Sequence, residues 1–167
     1  MRYPLFLNLT KQKVVVVGGG KVATRKIRTL LAAGAAVTVI SPETTTAIRR
    51  WTQTKHIRWT RRPYRAGDLR GACLVVAATD CDEINSRVCA EARRRRLLVN
   101  SAASPSAGNF IVPSVIHRGG ITIAISTGGA SPAFAKRFRR DIERLFSRGY
   151  PALLKQMAAL RKRQHDE

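Results

Sequence analysis

Four consecutive valines, Val14 to Val17, run directly into three glycines, Gly18 to Gly20, and then into Lys21-Val22-Ala23. A short apolar run bounded by a glycine turn suits a strand covered on both faces. The periodic segment behind the turn reads as a helix over 21–33, with Val22, Ile27, Leu30 and Leu31 on its apolar face. Written as Gly18-x-Gly20-x-x-Ala23, the turn is the dinucleotide-binding fingerprint. Gly18 permits the tight turn, Gly20 lets the backbone approach a pyrophosphate, and Ala23 lets helix and strand pack closely. The free N–H groups and positive end of the helix then face the phosphates. A second strand, 36–40, follows about 20 residues on, as the fingerprint requires. The competing reading is a plain glycine turn in an α/β protein.

Strand and helix signals alternate through residue 100. Gly34 suits a helix C-terminal cap. After the 36–40 strand, Ser41-Pro42-Glu43 reads as a helix start, with Ser41 as cap and Pro42 in the first turn. Further strands are expected at 56–60, 73–78 and 97–99, a turn over 68–71 and a helix over 82–95. This order argues for a doubly wound parallel sheet. Ligands in such sheets bind beyond the carboxyl ends of the strands, which singles out 18–23, 41–43, 79–80 and 100–109. Beyond residue 100 the pattern changes. Residues 101–109 read as a loop, and 111–116 with 121–126 as paired extended segments around Arg118-Gly119-Gly120. Ser131 and Pro132 suit the cap and first position of a helix over 133–146. Gly149-Tyr150-Pro151 breaks it, and 152–163 reads as a last basic helix with a frayed tail. The expected division is 1–112, 113–148 and 149–167.

The chain has 167 residues, enough for one core and a small appendage. No apolar run reaches the roughly 18 residues of a membrane span, and residues 1–9 lack the features of a signal peptide. A cytoplasmic protein is expected. Cys73, Cys81 and Cys89 match no zinc or redox spacing and read as reduced thiols. His56, His117 and His165 form no ligand cluster, so no built-in metal is expected. Thirty-one Lys and Arg against ten Asp and Glu give a net charge of +21. Such a field attracts polyanions: nucleic acid, an anionic membrane surface, or a small molecule with many carboxylates or phosphates. The chain shows none of the motifs of nucleic-acid readers, and its basic residues are spread along its whole length.

The chain resembles the precorrin-2 dehydrogenase family of siroheme biosynthesis, some members of which are also sirohydrochlorin ferrochelatases. The pieces that carry this run from Tyr3 to about Arg144. They are Tyr3-Pro4-Leu5-Phe6-Leu7-Asn8-Leu9, Val17-Gly18-Gly19-Gly20-Lys21-Val22-Ala23 with Arg25-Lys26, and Val37-Thr38-Val39-Ile40-Ser41-Pro42-Glu43. Ala77-Ala78-Thr79-Asp80, Asn100, Asn109-Phe110-Ile111-Val112-Pro113 and Ile125-Ser126-Thr127-Gly128-Gly129-Ala130-Ser131-Pro132 follow.

The resemblance implies a Rossmann-like NAD-binding domain, a dimerisation segment, a short helical C-terminal piece and an intertwined homodimer. It implies oxidation of precorrin-2 by NAD to sirohydrochlorin. The substrate's eight carboxylates would account for a basic cleft. Gly18, Gly20, Lys21, Val22 and Ala23 would carry the pyrophosphate, with Ser41, Pro42 and Glu43 at the adenosine. No acid ends the 36–40 strand, which leaves NADP open through Arg49 or Arg50. Thr79 and Asp80 would lie over the cofactor, Asp80 alternatively capping a helix, and Asn100 would face nicotinamide or substrate. Asn109, Ser126, Thr127, Gly128 and Ser131 fall on the tetrapyrrole side. One departure stands out: Ala103 occupies the position of the family's usual proton-handling and metal-handling aspartate. Ser101, Ser104, His117 and Asp80 are the substitutes within the chain, the catalytic residue is open, and ferrochelatase activity is in doubt.

Overall fold

The computed structural model describes residues 3–145. The expected break at 149–151, the helix over 152–163 and the tail lie outside the described residues. The chain divides into two compact units, Tyr3–Ile111 and Val112–Glu167.

The first unit holds β1 (Lys13–Val17), α1 (Lys21–Ala32), β2 (Ala36–Ile40), α2 (Thr46–Gln53), β3 (Ile57–Thr60), β4 (Leu74–Ala77), α3 (Asp82–Arg94) and β5 (Leu98–Ser101). The strands form one sheet in the order β3-β2-β1-β4-β5, all parallel. This is the Rossmann-like α/β arrangement expected from the alternation. Alternate residues serve opposite faces. Val14, Val16, Val37, Val39, Leu74 and Val76 meet Ala23 and Ile27 of α1 and Ile48 of α2. Val15, Val17, Ile40, Val75, Ala77 and Val99 meet Val88, Cys89 and Ala92 of α3, with Tyr64 and Leu69. The valine run is apolar throughout because both of its faces are covered.

Local chemistry sets most element ends. Gly34, at φ +75°, closes α1, its N–H donating to Leu31 O and that of Ala35 to Leu30 O. Asp82 and Glu83 open α3, and Arg93 and Arg94 lie in its last turn, each sign matching the helix dipole.

Three expectations are corrected. Ser41 does not cap α2: the helix begins at Thr46 and Thr45 caps it, Oγ1 accepting from Ile48 N at 3.5 Å. β5 runs on through Ser101, so this residue is buried in the strand rather than the first of the loop. Val22 is 42% exposed, because Ala23 and Ile27 one turn apart take the inward face of α1.

The second unit holds β6 (Ser114–Arg118), β7 (Ile121–Ile125) and α4 (Pro132–Leu145). β6 and β7 form an antiparallel hairpin across Gly119-Gly120, both at positive φ as a two-residue turn of this kind requires. Ser131 caps α4 as expected, Oγ accepting from Phe134 N at 3.2 Å, with Pro132 in first position.

Candidate functional site: the glycine loop and the strand ends around it

Each of the three glycines meets a different demand. Gly18 lies at φ +117°, and a Cβ there would sit 2.1 Å from Ala78 O. Its N–H donates to Ile40 O at 2.9 Å, so the turn is pinned between the ends of β2 and β4. A Cβ on Gly19 would lie 2.0 Å from Glu43 O. Thr45 N donates to Gly19 O at 3.0 Å, which presses the 41–45 segment onto the loop. Gly20 differs: a Cβ there would meet nothing within 4 Å. Gly20 also stands at the N-terminus of α1, which no side chain caps and whose first turn holds no acid. Open space in front of an uncapped helix N-terminus, reached over a glycine, fits a pyrophosphate. Ala23, fully buried, supports the close packing of α1 on the sheet.

Beside the loop, Ser41 Oγ donates to Glu43 O at 2.6 Å, and Ser41 O accepts from Trp59 Nε1 at 2.9 Å. This turn brings the backbone of Glu43, three residues past the end of β2, back against the glycine loop. Thr44 Oγ1, buried in the same turn, has no hydrogen-bond partner. Arg49 and Arg50 are exposed on α2.

At β4, Asn85 accepts from Thr79 N and Oγ1 at 3.1 and 2.9 Å and donates to Thr79 O at 2.9 Å. The N-cap of α3 is Cys81, and Asp80, exposed, does not take that role. At β5, Asn100 is buried; its Oδ1 accepts from Lys26 Nζ at 2.9 Å and its Nδ2 donates to Phe110 O at 3.2 Å. The Asn109 amide acts as a strand surrogate. Oδ1 accepts from Val99 N and Nδ2 donates to Leu97 O, both at 2.8 Å. Its groups are therefore taken up by the sheet edge.

Ala103 lies exposed in the turn after β5. Ser101 Oγ accepts from Ser104 N at 3.1 Å, and the hydroxyls of Ser104 and Ser106 lie 3.1 Å apart. The remaining residues of interest belong to the second unit. His117 Nδ1 lies 3.0 Å from Thr122 Oγ1. Ser126 Oγ accepts from Gly128 N, and Thr127 Oγ1 both accepts from Ser131 N and donates to Ser131 O. These contacts build a tight turn in front of α4. Among the described residues, no three His, Cys, Asp or Glu gather as a metal site, and no helix is long and apolar enough to cross a membrane.

Sequence reasoning missed the polar core on the α3 face. Glu91, buried, accepts from Tyr64 Oη, from Arg95 Nε at 2.7 Å and from Gly67 N at 3.1 Å. Burial pushes its pKa up, but these donors outweigh burial and hold the carboxyl below the usual range. Burial, and then the bond to that carboxylate, pushes the Tyr64 hydroxyl well above its ordinary value.

The fold and the loop define a nucleotide-binding α/β protein, and the comparisons carry this further. Residues 5–114 match the NAD(P)-binding family model, and residues 118–145 match the model for the central part of sirohaem biosynthesis proteins. The precorrin-2 dehydrogenase of Bacillus subtilis is 31% identical over 160 residues, covering 96% of this chain and 98% of that protein. The siroheme synthase of Methylobacillus flagellatus is 39% identical over 150 residues, 90% of this chain but 32% of that protein. The chain thus spans about a third of the length of that synthase. The solved structure of SirC, a precorrin-2 dehydrogenase, matches with a TM-score of 0.81 at 35% identity, covering 92% of this chain and 76% of that one. The chain belongs to the precorrin-2 dehydrogenase family, and its first unit is an NAD(P)-binding domain.

Proposed function

We propose that this chain oxidises precorrin-2 to sirohydrochlorin with NAD, acting as a homodimer in the cytoplasm. The observation that carries the reading is the end-to-end match to a precorrin-2 dehydrogenase of the same span. In net terms precorrin-2 and NAD give sirohydrochlorin, NADH and a proton. When bound, the nicotinamide supplies the hydride acceptor. The chain supplies position and charge. Gly20 and the first turn of α1, Lys21 to Ala23, hold the pyrophosphate. Ser41, Pro42 and Glu43 hold the adenosine. Glu43, exposed three residues past the end of β2, is the carboxylate we assign to a ribose 2′-hydroxyl, which favours NAD over NADP. Thr79, Asp80 and Asn100 surround the reacting end, and Ser126, Thr127, Gly128 and Ser131 face the tetrapyrrole. Asn109 serves that side through the β5 edge it holds in place.

The methyl of Ala103 accepts no proton. The reading is therefore confined to dehydrogenation, where water or the exposed Asp80 takes the proton; iron insertion is not part of it. The homodimer is supported by the second unit, whose described residues bury little apolar surface of their own.

The test is anaerobic: full-length protein, freshly made precorrin-2 and NAD, with NADH and sirohydrochlorin followed together. Both are expected to rise in equal amounts, and faster than with NADP. Cofactor and tetrapyrrole binding without turnover would overturn the assignment in favour of a carrier on the same fold.

A further inference from the structure

Lys26 is a half-buried cation that the phosphate loop does not use. It lies on α1 five residues past Lys21, about 7.5 Å along the helix axis. Its ammonium reaches to β5, donating to Asn100 Oδ1 at 2.9 Å. Asn100 stands one residue before the end of that strand, and its other amide group is fixed on Phe110 O. The amide is therefore held with its oxygen toward Lys26.

Among the described residues, no carboxylate pairs with this ammonium: the ion pairs are Arg62–Asp68, Arg95–Glu91, Arg139–Glu143 and Arg144–Asp141. The charge that acts on it is Arg25, of the same sign; burial first, and Arg25 second, lower its pKa. A cation drawn out of water is ordinarily offset by an anion, because desolvation penalises the charged form. Lys26 has a neutral amide instead, which occupies one of its three N–H donors. The arrangement aims an under-compensated positive charge at the carboxyl-terminal end of β5. That strand lies two positions from β1, roughly 10 Å across the sheet from the phosphate loop. The missing anion is therefore better supplied by the substrate than by the pyrophosphate.

We propose that Lys26, aimed by Asn100, anchors one carboxylate of the bound tetrapyrrole beside the end of β5. This rests on the reading of the chain as a tetrapyrrole dehydrogenase. Lys26 then acts as a substrate-orienting residue, and the incoming carboxylate completes an ion pair that the free protein lacks.

The experiment compares the full-length protein with Lys26→Met, Lys26→Gln and Lys26→Arg by titration with sirohydrochlorin and, separately, with NADH. Lys26→Met and Lys26→Gln are expected to weaken sirohydrochlorin binding roughly tenfold to a hundredfold, the range of a charge-assisted hydrogen bond. NADH affinity should stay within about twofold, and Lys26→Arg should restore most of the loss. Lys26→Gln keeps a donor for Asn100, so it separates loss of charge from loss of support if Lys26→Met melts early. Unchanged sirohydrochlorin affinity in a folded Lys26→Gln overturns the proposal, as does a loss that falls on NADH instead. A parent protein that neither binds sirohydrochlorin nor reduces NAD removes the dehydrogenase reading itself. Normal turnover with an indifferent Lys26 removes this anchor alone.

Discussion

The two units of this chain solve the problem of burial in opposite ways. In Tyr3–Ile111, five strands are sandwiched between helices, and Val14, Val15, Val16, Val39, Val75, Val88 and Val99 are sealed from solvent. Among the described residues after Val112, only Ile116 and Ala135 are buried hydrophobic side chains. Phe134 and Phe138 stack at 5.9 Å between centroids yet remain 57% and 43% exposed. The described part of that unit, a two-stranded hairpin and one helix, has too little surface to enclose a core. The first unit carries a core of its own; the described residues of the second leave apolar side chains exposed, and a second copy of the chain is the cover we propose. Stability and assembly should therefore respond to different residues.

The sharpest way to break that comparison lies in the glycine loop. Gly18→Val adds a side chain where even a Cβ would strike Ala78 O, at a backbone angle that valine avoids. It should cost about 4 kcal/mol or more and lower the thermal midpoint of the first unit steeply. Gly20→Asp, two residues on, faces open space and should leave the melting curve in place while abolishing NADH binding. Equal loss of fold in both variants would mean that Gly20 is structural.

Phe134→Asp combined with Phe138→Asp is the next largest expected effect. Sedimentation should show the proposed homodimer weakened roughly tenfold or more, with far-UV melting of the first unit little changed. A fully dimeric double variant would show that α4 is not the covered face.

Glu91→Gln should cost about 1.5–3 kcal/mol, because a buried carboxylate with three donors becomes a neutral amide. The pH dependence carries the same information. The Glu91 pKa is lowered in the fold, so its contribution is full above the unfolded value of about 4.3 and is lost as pH falls through the native value. Acid unfolding of the variant should therefore be flatter below about pH 4.3 than that of the parent. Identical acid limbs would mean that Glu91 does not carry this charge.

Asn109→Ala is the smallest change, about 1–2 kcal/mol for two lost edge bonds. Hydrogen exchange at the Val99 amide should rise with it, and protection that survives would mean the backbone of 108–110 suffices.

What could be read from the sequence was what local chemistry decides. Val14 to Val17, the turn behind them, Gly34 and Ser131-Pro132 all act through neighbours a few residues away. The α2 cap escaped because Ser41, Thr44 and Thr45 are all competent hydroxyls. The choice of Thr45 came from its N–H reaching Gly19 O, a contact 26 residues distant. The need for a glycine at position 19 escaped for the same reason, since what it avoids is Glu43 O. Lys26 with Asn100, and Tyr64 with Glu91, join residues 74 and 27 apart and carry no local signature. Ala103 could be read only against a family pattern, and its turn holds hydroxyls but no carboxylate.

β5 ends the sheet, and such a strand offers a row of bare amides to any extended chain that drifts past. Here the Asn109 side chain and backbone N–H already occupy Val99 and Leu97. A sixth strand would first have to evict them. One polar side chain thus denies those backbone groups to a pairing strand. Its removal should shorten the time the protein stays clear on storage by more than the loss of stability alone accounts for.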